Sequence, residues 1–179
     1  MFYATLSNVA KNNERETQKM DEPNSNLEIL MLDDVDKLEK KTADALGIKK
    51  EWQSRYKLGF LIPVSEEGHW DLSLLEDLEK IRKSSLGDYK KLLATLKRQL
   101  QQRNLMLCSN HLSQGFPQKK ILEFKAANGG HSRLFAFIHD GNIFICTHVW
   151  WKTKNSKKQQ DREFQKAEKM RQLFCRQLQ

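Results

Sequence analysis

The stretch from Lys119 to Lys152, KKILEFKAANGGHSRLFAFIHDGNIFICTHVWWK, decides the fold. Three β-rich runs, Lys119–Ala126, Arg133–Ile138 and Asn142–Lys152, are separated by Asn128-Gly129-Gly130 and by Asp140-Gly141-Asn142. Asn-Gly and Asp-Gly steps accept the positive φ of a tight hairpin, so the runs predict an antiparallel β-meander. Upstream the period becomes helical. Ser73 followed by Glu76 has capping-box spacing, and Leu74, Leu75, Leu78 and Ile81 form a helix stripe that ends near Ser84. A second helix over Asp88–Arg103 gathers Leu92, Leu93, Leu96 and Leu100 on one face, with Lys90, Lys91, Lys97, Arg98 and Arg103 largely away from it. The two predict a helical hairpin. Downstream, Gln160–Gln177 predicts a final helix in which Phe164, Ala167, Met170, Arg171, Leu173 and Phe174 alternate between packing and solvent roles. Helix, helix, three strands and helix make an α+β domain, a helical hairpin on an antiparallel meander with a C-terminal helix.

The residues before this block read differently. Met1 to Asn26 has little periodic apolar content after Val9, and residues 1–26 are expected to be a mobile arm. Leu27–Leu32 is an apolar run. Asp33 or Asp34 then caps an amphipathic helix with Val35, Leu38, Thr42 and Ala45 on one face, closed by Gly47. Leu58, Phe60, Ile62 and Val64 alternate with period two, predicting a strand that ends near Pro63, without indicating its pairing partner. These apolar faces are too few for a separate core, so residues 27–70 are expected as an extension packed on the domain of residues 71–179.

Charge divides the chain in the same place. Residues 1–87 hold 13 Lys and Arg against 17 Asp and Glu, a net −4, whereas residues 88–179 hold 18 against 6, a net +12. A one-sided basic excess is the footprint of a nucleic-acid binder or of a protein with an acidic partner. Cys108, Cys146 and Cys175 are odd in number and widely spaced, which fits neither a disulfide framework nor a CxxC motif and points to a reducing compartment. No apolar run approaches the ~18 residues of a membrane span. The N-terminus also lacks a charged-then-apolar signal, so a cytoplasmic setting without membrane partners is expected.

Lys125, Arg133, His148, Lys152 and Lys154 fall on or just after the meander strands, where pairing can bring several onto one face. Ribonucleolytic transfer needs a base at the ribose 2′-hydroxyl, cations for the charge on phosphorus and an acid for the leaving 5′-oxygen, with no metal or cofactor. Scattered Lys and Arg also occur on any solvated face. His148 on the third strand is the best general-base candidate, although a lone strand histidine is more often structural. His131 and His139 lie at turns and read as solvated. Trp150 and Trp151 can stack a base, but adjacent strand aromatics usually place one ring in the core. Cys146 and His148 would hold a metal only with further ligands, and none is evident in the sequence.

The segments Ile121-Leu-Glu-Phe-Lys125, Gly129-Gly-His-Ser-Arg133-Leu-Phe-Ala-Phe-Ile138, Asp140-Gly-Asn-Ile-Phe-Ile145, Trp151-Lys-Thr-Lys-Asn-Ser-Lys157 and Phe164-Gln-Lys-Ala-Glu-Lys-Met-Arg171 together resemble the RelE/ParE superfamily. The HigB-like, phage-related branch is the most similar. The resemblance implies a RelE-like fold with an N-terminal extension and the toxin of a type II toxin–antitoxin pair. Most such members are metal-independent endoribonucleases, mRNA interferases that cut ribosome-associated mRNA and inhibit translation, while a ParE subgroup poisons DNA gyrase. By this resemblance Lys125 stands where a first-strand arginine is usual, Arg133 at the second-strand arginine, and Lys152 and Lys154 in the basic loop. Lys125 puts a point charge where a planar fork is usual, and Trp150-Trp151 replaces part of a glycine-aromatic-lysine tract. The candidate catalytic set is Arg133, His148, Lys152 and Lys154, and the candidate RNA contacts are Lys120, Lys125, Trp150, Trp151, Lys157 and Lys158. The implied partners are RNA on the ribosome and a cognate antitoxin of acidic or helix-turn-helix character. The alternative is a non-catalytic protein of the same fold that binds RNA, gyrase or an acidic antitoxin segment.

Overall fold

The computed structural model describes residues 26–32, 46–53, 55–101, 112–114, 120–153 and 157–179. The expected arm before Asn26, most of the helix expected after Asp33, Lys119, Cys108 and Lys154 lie outside the described residues. In chain order the elements are β1 (Asn26–Met31), β2 (Lys57–Val64), α1 (Ser73–Ser84), α2 (Leu86–Gln101), β3 (Leu112–Gln114), β4 (Ile121–Lys125), β5 (Ser132–His139), β6 (Ile143–Trp151) and α3 (Lys157–Gln177). The fold is α+β, and the described residues form a six-stranded sheet in the order β1-β2-β6-β5-β4-β3.

The expected meander is β4-β5-β6, antiparallel throughout. Its first turn closes with the Gly130 N–H donating to the Ala127 carbonyl at 3.4 Å, and its central residues Asn128 and Gly129 have φ of +55° and +79°. Two successive positive φ values define a type I′ turn, whose twist matches that of paired strands. Asp140 and Gly141 repeat the pattern at +47° and +74° in the second connection. β2 finds its partners in β1, antiparallel, and in β6, parallel. Strands that run in the same direction need a long crossover, and here α1, α2 and the rest of the meander separate β2 from β6 in sequence. Pro63 is tolerated because the pairing with β6 covers only Lys57–Phe60, so its missing N–H falls beyond that ladder.

Helices cover both faces. Leu74, Leu75, Leu78 and Ile81 of α1 and Tyr89, Leu92, Leu96 and Leu100 of α2 pack against Leu58, Phe60, Leu122, Phe124, Leu134 and Phe144. Ala167 and Phe174 of α3 pack against Leu61, Ile121, Phe135, Phe137, Ile145 and Trp150 on the opposite face. Strands buried on both sides read as apolar runs, which explains Leu134–Ile138 without alternation. α1 begins differently from the capping-box expectation: Ser73 is already helical, and its N–H is taken by Asp71 Oδ1 at 2.9 Å.

One irregularity controls the site. Phe135 pairs with His148 but Ala136 pairs with Cys146, which leaves Thr147 as an extra residue in β6. Before this bulge Phe144 and Cys146 face the helical hairpin. Beyond it His148 stacks on Phe135 and Trp150 joins the cluster under α3. A single inserted residue reverses the parity of a strand.

Candidate functional site

β4 ends, β5 begins and β6 ends at one edge of the sheet, and the register there aligns Lys125 with Arg133 and Arg133 with Trp150. Adjacent strands lie about 4.8 Å apart, so these three side chains form a row roughly 10 Å across. Glu123, two residues back along β4 on the same face, is fully buried. Its Oε2 accepts from Gln160 Nε2 at 2.8 Å and lies 3.5 Å from Lys125 Nζ, and its Oε1 is 3.5 Å from Arg133 Nε. One carboxylate therefore serves two cations, and the row keeps an excess of positive charge.

Arg133 is held firmly. One terminal nitrogen, Nη1, donates to the Gly130 and Ser132 carbonyls at 2.7 and 2.8 Å, and its side chain is 11% exposed. Burial pulls its pKa below the ordinary arginine value, while Glu123 and Asp88 push it back up. The group stays cationic at any working pH. Beneath it, Asp88 at the start of α2 accepts the backbone N–H of His131 at 2.9 Å, the N–H of Ser132 at 2.7 Å and the Ser132 hydroxyl. A Cβ on Gly130 would collide with Asp88 Oδ1 and come within 2.5 Å of Ala126 Cβ, so the glycine lets the turn seat on the carboxylate.

The two tryptophans separate as alternation requires. Trp150 is in the core, and Trp151 is 36% exposed with its ring stacked on His131 at 5.6 Å and 25°. The Lys152 N–H donates to the His131 carbonyl at 3.0 Å, and His131 Nδ1 lies 2.8 Å from the Lys152 carbonyl. His148 lies deeper, 6% exposed and parallel to Phe135 at 4.7 Å. Its Nε2 is 3.1 Å from Glu163 Oε2 and its Nδ1 is 3.1 Å from Thr147 Oγ1. Burial holds its pKa below the usual histidine value, with the Glu163 hydrogen bond opposing and Lys166 assisting. Glu163 is correspondingly held below the usual carboxylate range by the bond from His148. His148 and Thr147 also line a cavity of about 230 Å³ with Leu61, Asp71, Asp77 and Lys166.

Lys125, Arg133, Trp150, Trp151 and Lys152 are thus brought to one end of the sheet, and α3 begins nearby with Lys157 and Lys158 exposed in its first turn. Lys120 stands apart at the far end of β4, about 16 Å along the strand from Lys125, where it acts on Glu168 of α3. Lys154 lies outside the described residues. Sequence reasoning passed over Asp88, Glu123, Gln160 and Glu163. The one signal was Glu123 itself, a carboxylate between the apolar Leu122 and Phe124. Among the described residues no group of three or more His, Cys, Asp or Glu side chains is placed to hold a metal ion, and no helix is long and apolar enough to cross a membrane.

Residues 76–172, just over half the chain and running from α1 into α3, match the family described as Phage derived protein Gp49-like (DUF891). No curated protein and no solved structure matches the chain.

Proposed function

We propose, from the premise that this chain belongs to the Gp49-like phage-derived protein family, that it cleaves ribosome-associated mRNA and thereby inhibits translation. The family is a RelE/HigB-like toxin family associated with toxin–antitoxin systems, so a toxin role with an antitoxin as partner is the starting point. The observation that carries the finer reading is the row of Lys125 and Arg133 with Lys152 at one sheet end, in a half of the chain with net charge +12. Cations fixed before the substrate arrives stabilise charge that develops on phosphorus without reorganising during the reaction. Arg133 is the most rigid of them and serves as the phosphate clamp. Lys125, Lys152, Lys157 and Lys158 track the backbone, Lys154 joins them by its place in the sequence, and the partly exposed Trp151 is the candidate to stack an unpaired base. The 2′-hydroxyl also needs a proton acceptor, and this end of the sheet offers two histidines, His131 and His148.

A non-catalytic reading has one observation in its favour: Glu123 offsets part of the charge that Lys125 and Arg133 present. Induced expression with growth measurement and mapping of mRNA ends separates the two. Growth arrest with new ends inside coding regions is expected, and Arg133→Ala should lower cleavage about a hundredfold, whereas Lys90→Ala on the exposed face of α2 should not. Arrest with intact mRNA, or equal losses in both folded variants, would sink the nuclease reading.

A further inference from the structure

We infer that His131, seated on the Trp151 ring, is the proton-transfer histidine of this surface; the inference rests on the ribonuclease reading above and adds the residue that drives it. The Lys152 carbonyl can only accept a hydrogen bond, so the 2.8 Å contact requires His131 Nδ1 to carry a proton. In the neutral ring Nε2 is then the bare nitrogen. This is how a base is oriented in hydrolytic triads, where a fixed acceptor on one ring nitrogen selects the tautomer that leaves the other free. The ring is held on three further counts: by its stack on Trp151, by the Lys152 N–H on its own carbonyl, and by Asp88 on its own amide.

His131 is exposed, and Arg133 Nη1 is bonded to the carbonyls of Gly130 and Ser132 on either side of it. Base and phosphate clamp therefore issue from the same turn, two residues apart in sequence. His148 differs on each point, since both its nitrogens have side-chain partners and it lies beneath α3. The charged groups that bond the turn carrying His131 are Asp88 from α2 on its amide, Arg133 from β5 on the carbonyls at either side of it, and Lys91 from α2, which donates to the Asn128 carbonyl at 3.3 Å; Lys152 after β6 meets it through backbone atoms.

In the reaction, Nε2 takes the proton of the 2′-hydroxyl as O2′ bonds to phosphorus. The bond from phosphorus to the 5′-oxygen breaks, and that oxygen takes a proton from solvent. The imidazolium then returns its proton to solvent. The products are a 2′,3′-cyclic phosphate and a 5′-hydroxyl, with no water or electron consumed.

The test tracks cleavage of mRNA on programmed ribosomes and of the same RNA alone, from pH 5 to 9, with the full chain. Binding of the RNA and thermal melting are measured in parallel. A histidine base must be neutral, so the wild-type rate should rise with pH. His131→Gln should cut about a hundredfold more slowly, bind RNA within twofold of wild type and lose that rise. Added imidazole should restore part of the activity of His131→Ala. His69→Gln, at an exposed histidine 3.6 Å from Glu67, should keep the wild-type profile. A His131→Gln protein that keeps the rise, or whose rate falls only as far as its RNA affinity, overturns the inference and leaves the nuclease reading standing. Loss of the rise in His148→Gln alone returns the role to His148. A folded wild type that cuts neither substrate at any pH removes both readings together.

Discussion

At the scale of single residues, buried charge does the organising. Asp88 is 8% exposed and accepts three hydrogen bonds from His131 and Ser132 across 43 and 44 residues of sequence. Bonds to a charged acceptor contribute about 1.5 to 3 kcal/mol each, and their removal strands two backbone donors. Asp88→Ala should therefore cost about 3 kcal/mol in urea unfolding, while Asp77→Ala, at an exposed ion pair with Lys80, should cost little. A difference near zero would mean that the turn seats without its anchor. His148 links stability to pH. Its folded pKa is depressed below 6.5 chiefly by burial, so the unfolded chain binds more protons near that pH. Its contribution is complete above pH 6.5 and is lost as pH falls toward the folded value. Melting temperature should decline as pH falls below about 6.5, and His148→Gln should flatten that decline. Below pH 4.5 a further fall should appear in both proteins, as the depressed carboxylates Glu163 and Glu168 protonate.

At the scale of elements, β1 and β2 complete a sheet whose other strands lie more than 40 residues downstream. β2 is central, with Leu58, Phe60, Leu61 and Ile62 almost wholly buried and divided between the two cores. β1 is tied to the far end of the chain, where Leu27 N–H donates to Gln177 Oε1 at 3.0 Å. We propose that residues 27–70 form one fold with residues 71–179. Deleting residues 1–70 would open the β6 edge and uncover Phe144, Ile145 and Cys146, exposing a contiguous apolar patch. The fragment from Asp71 should aggregate or melt well below the full chain. A soluble fragment with an unchanged melt would show that the extension is dispensable.

For the whole molecule, the division of charge sets the behaviour toward polyanions. The half from residue 88 onward carries a net +12, and phosphate contacts made by Lys and Arg release counterions from the nucleic acid. RNA affinity should fall about a thousandfold between 50 and 200 mM salt if six or so phosphates are contacted, as fluorescence anisotropy with a labelled single strand would measure. Affinity indifferent to salt would mean that the basic half faces something other than a phosphate backbone. An acidic antitoxin segment should compete for the same face, because charge complementarity governs encounter there.

Local chemistry was enough to specify the meander. Asn128-Gly129 and Asp140-Gly141 determine their turns by positive φ alone, and the leucine stripes of α1 and α2 need no knowledge of what they pack against. The basic residues of the candidate surface were equally legible, since charge is a property of composition. Three things were settled only by tertiary structure. The partners of β2 could not be read, because strand pairing is non-local and Leu58–Val64 carries no mark of its neighbours. The bulge at Thr147 could not be read either, and since side chains alternate with period two, that one residue decided that His148 and Trp150 turn toward α3 and that Trp151 lies against His131. The third is the state of the charges. Glu123 sits between Lys125 and Arg133, and Asp88 lies under the β4–β5 turn, because separate elements converge there; a sequence specifies how many charges exist, but burial and distance decide which remain available.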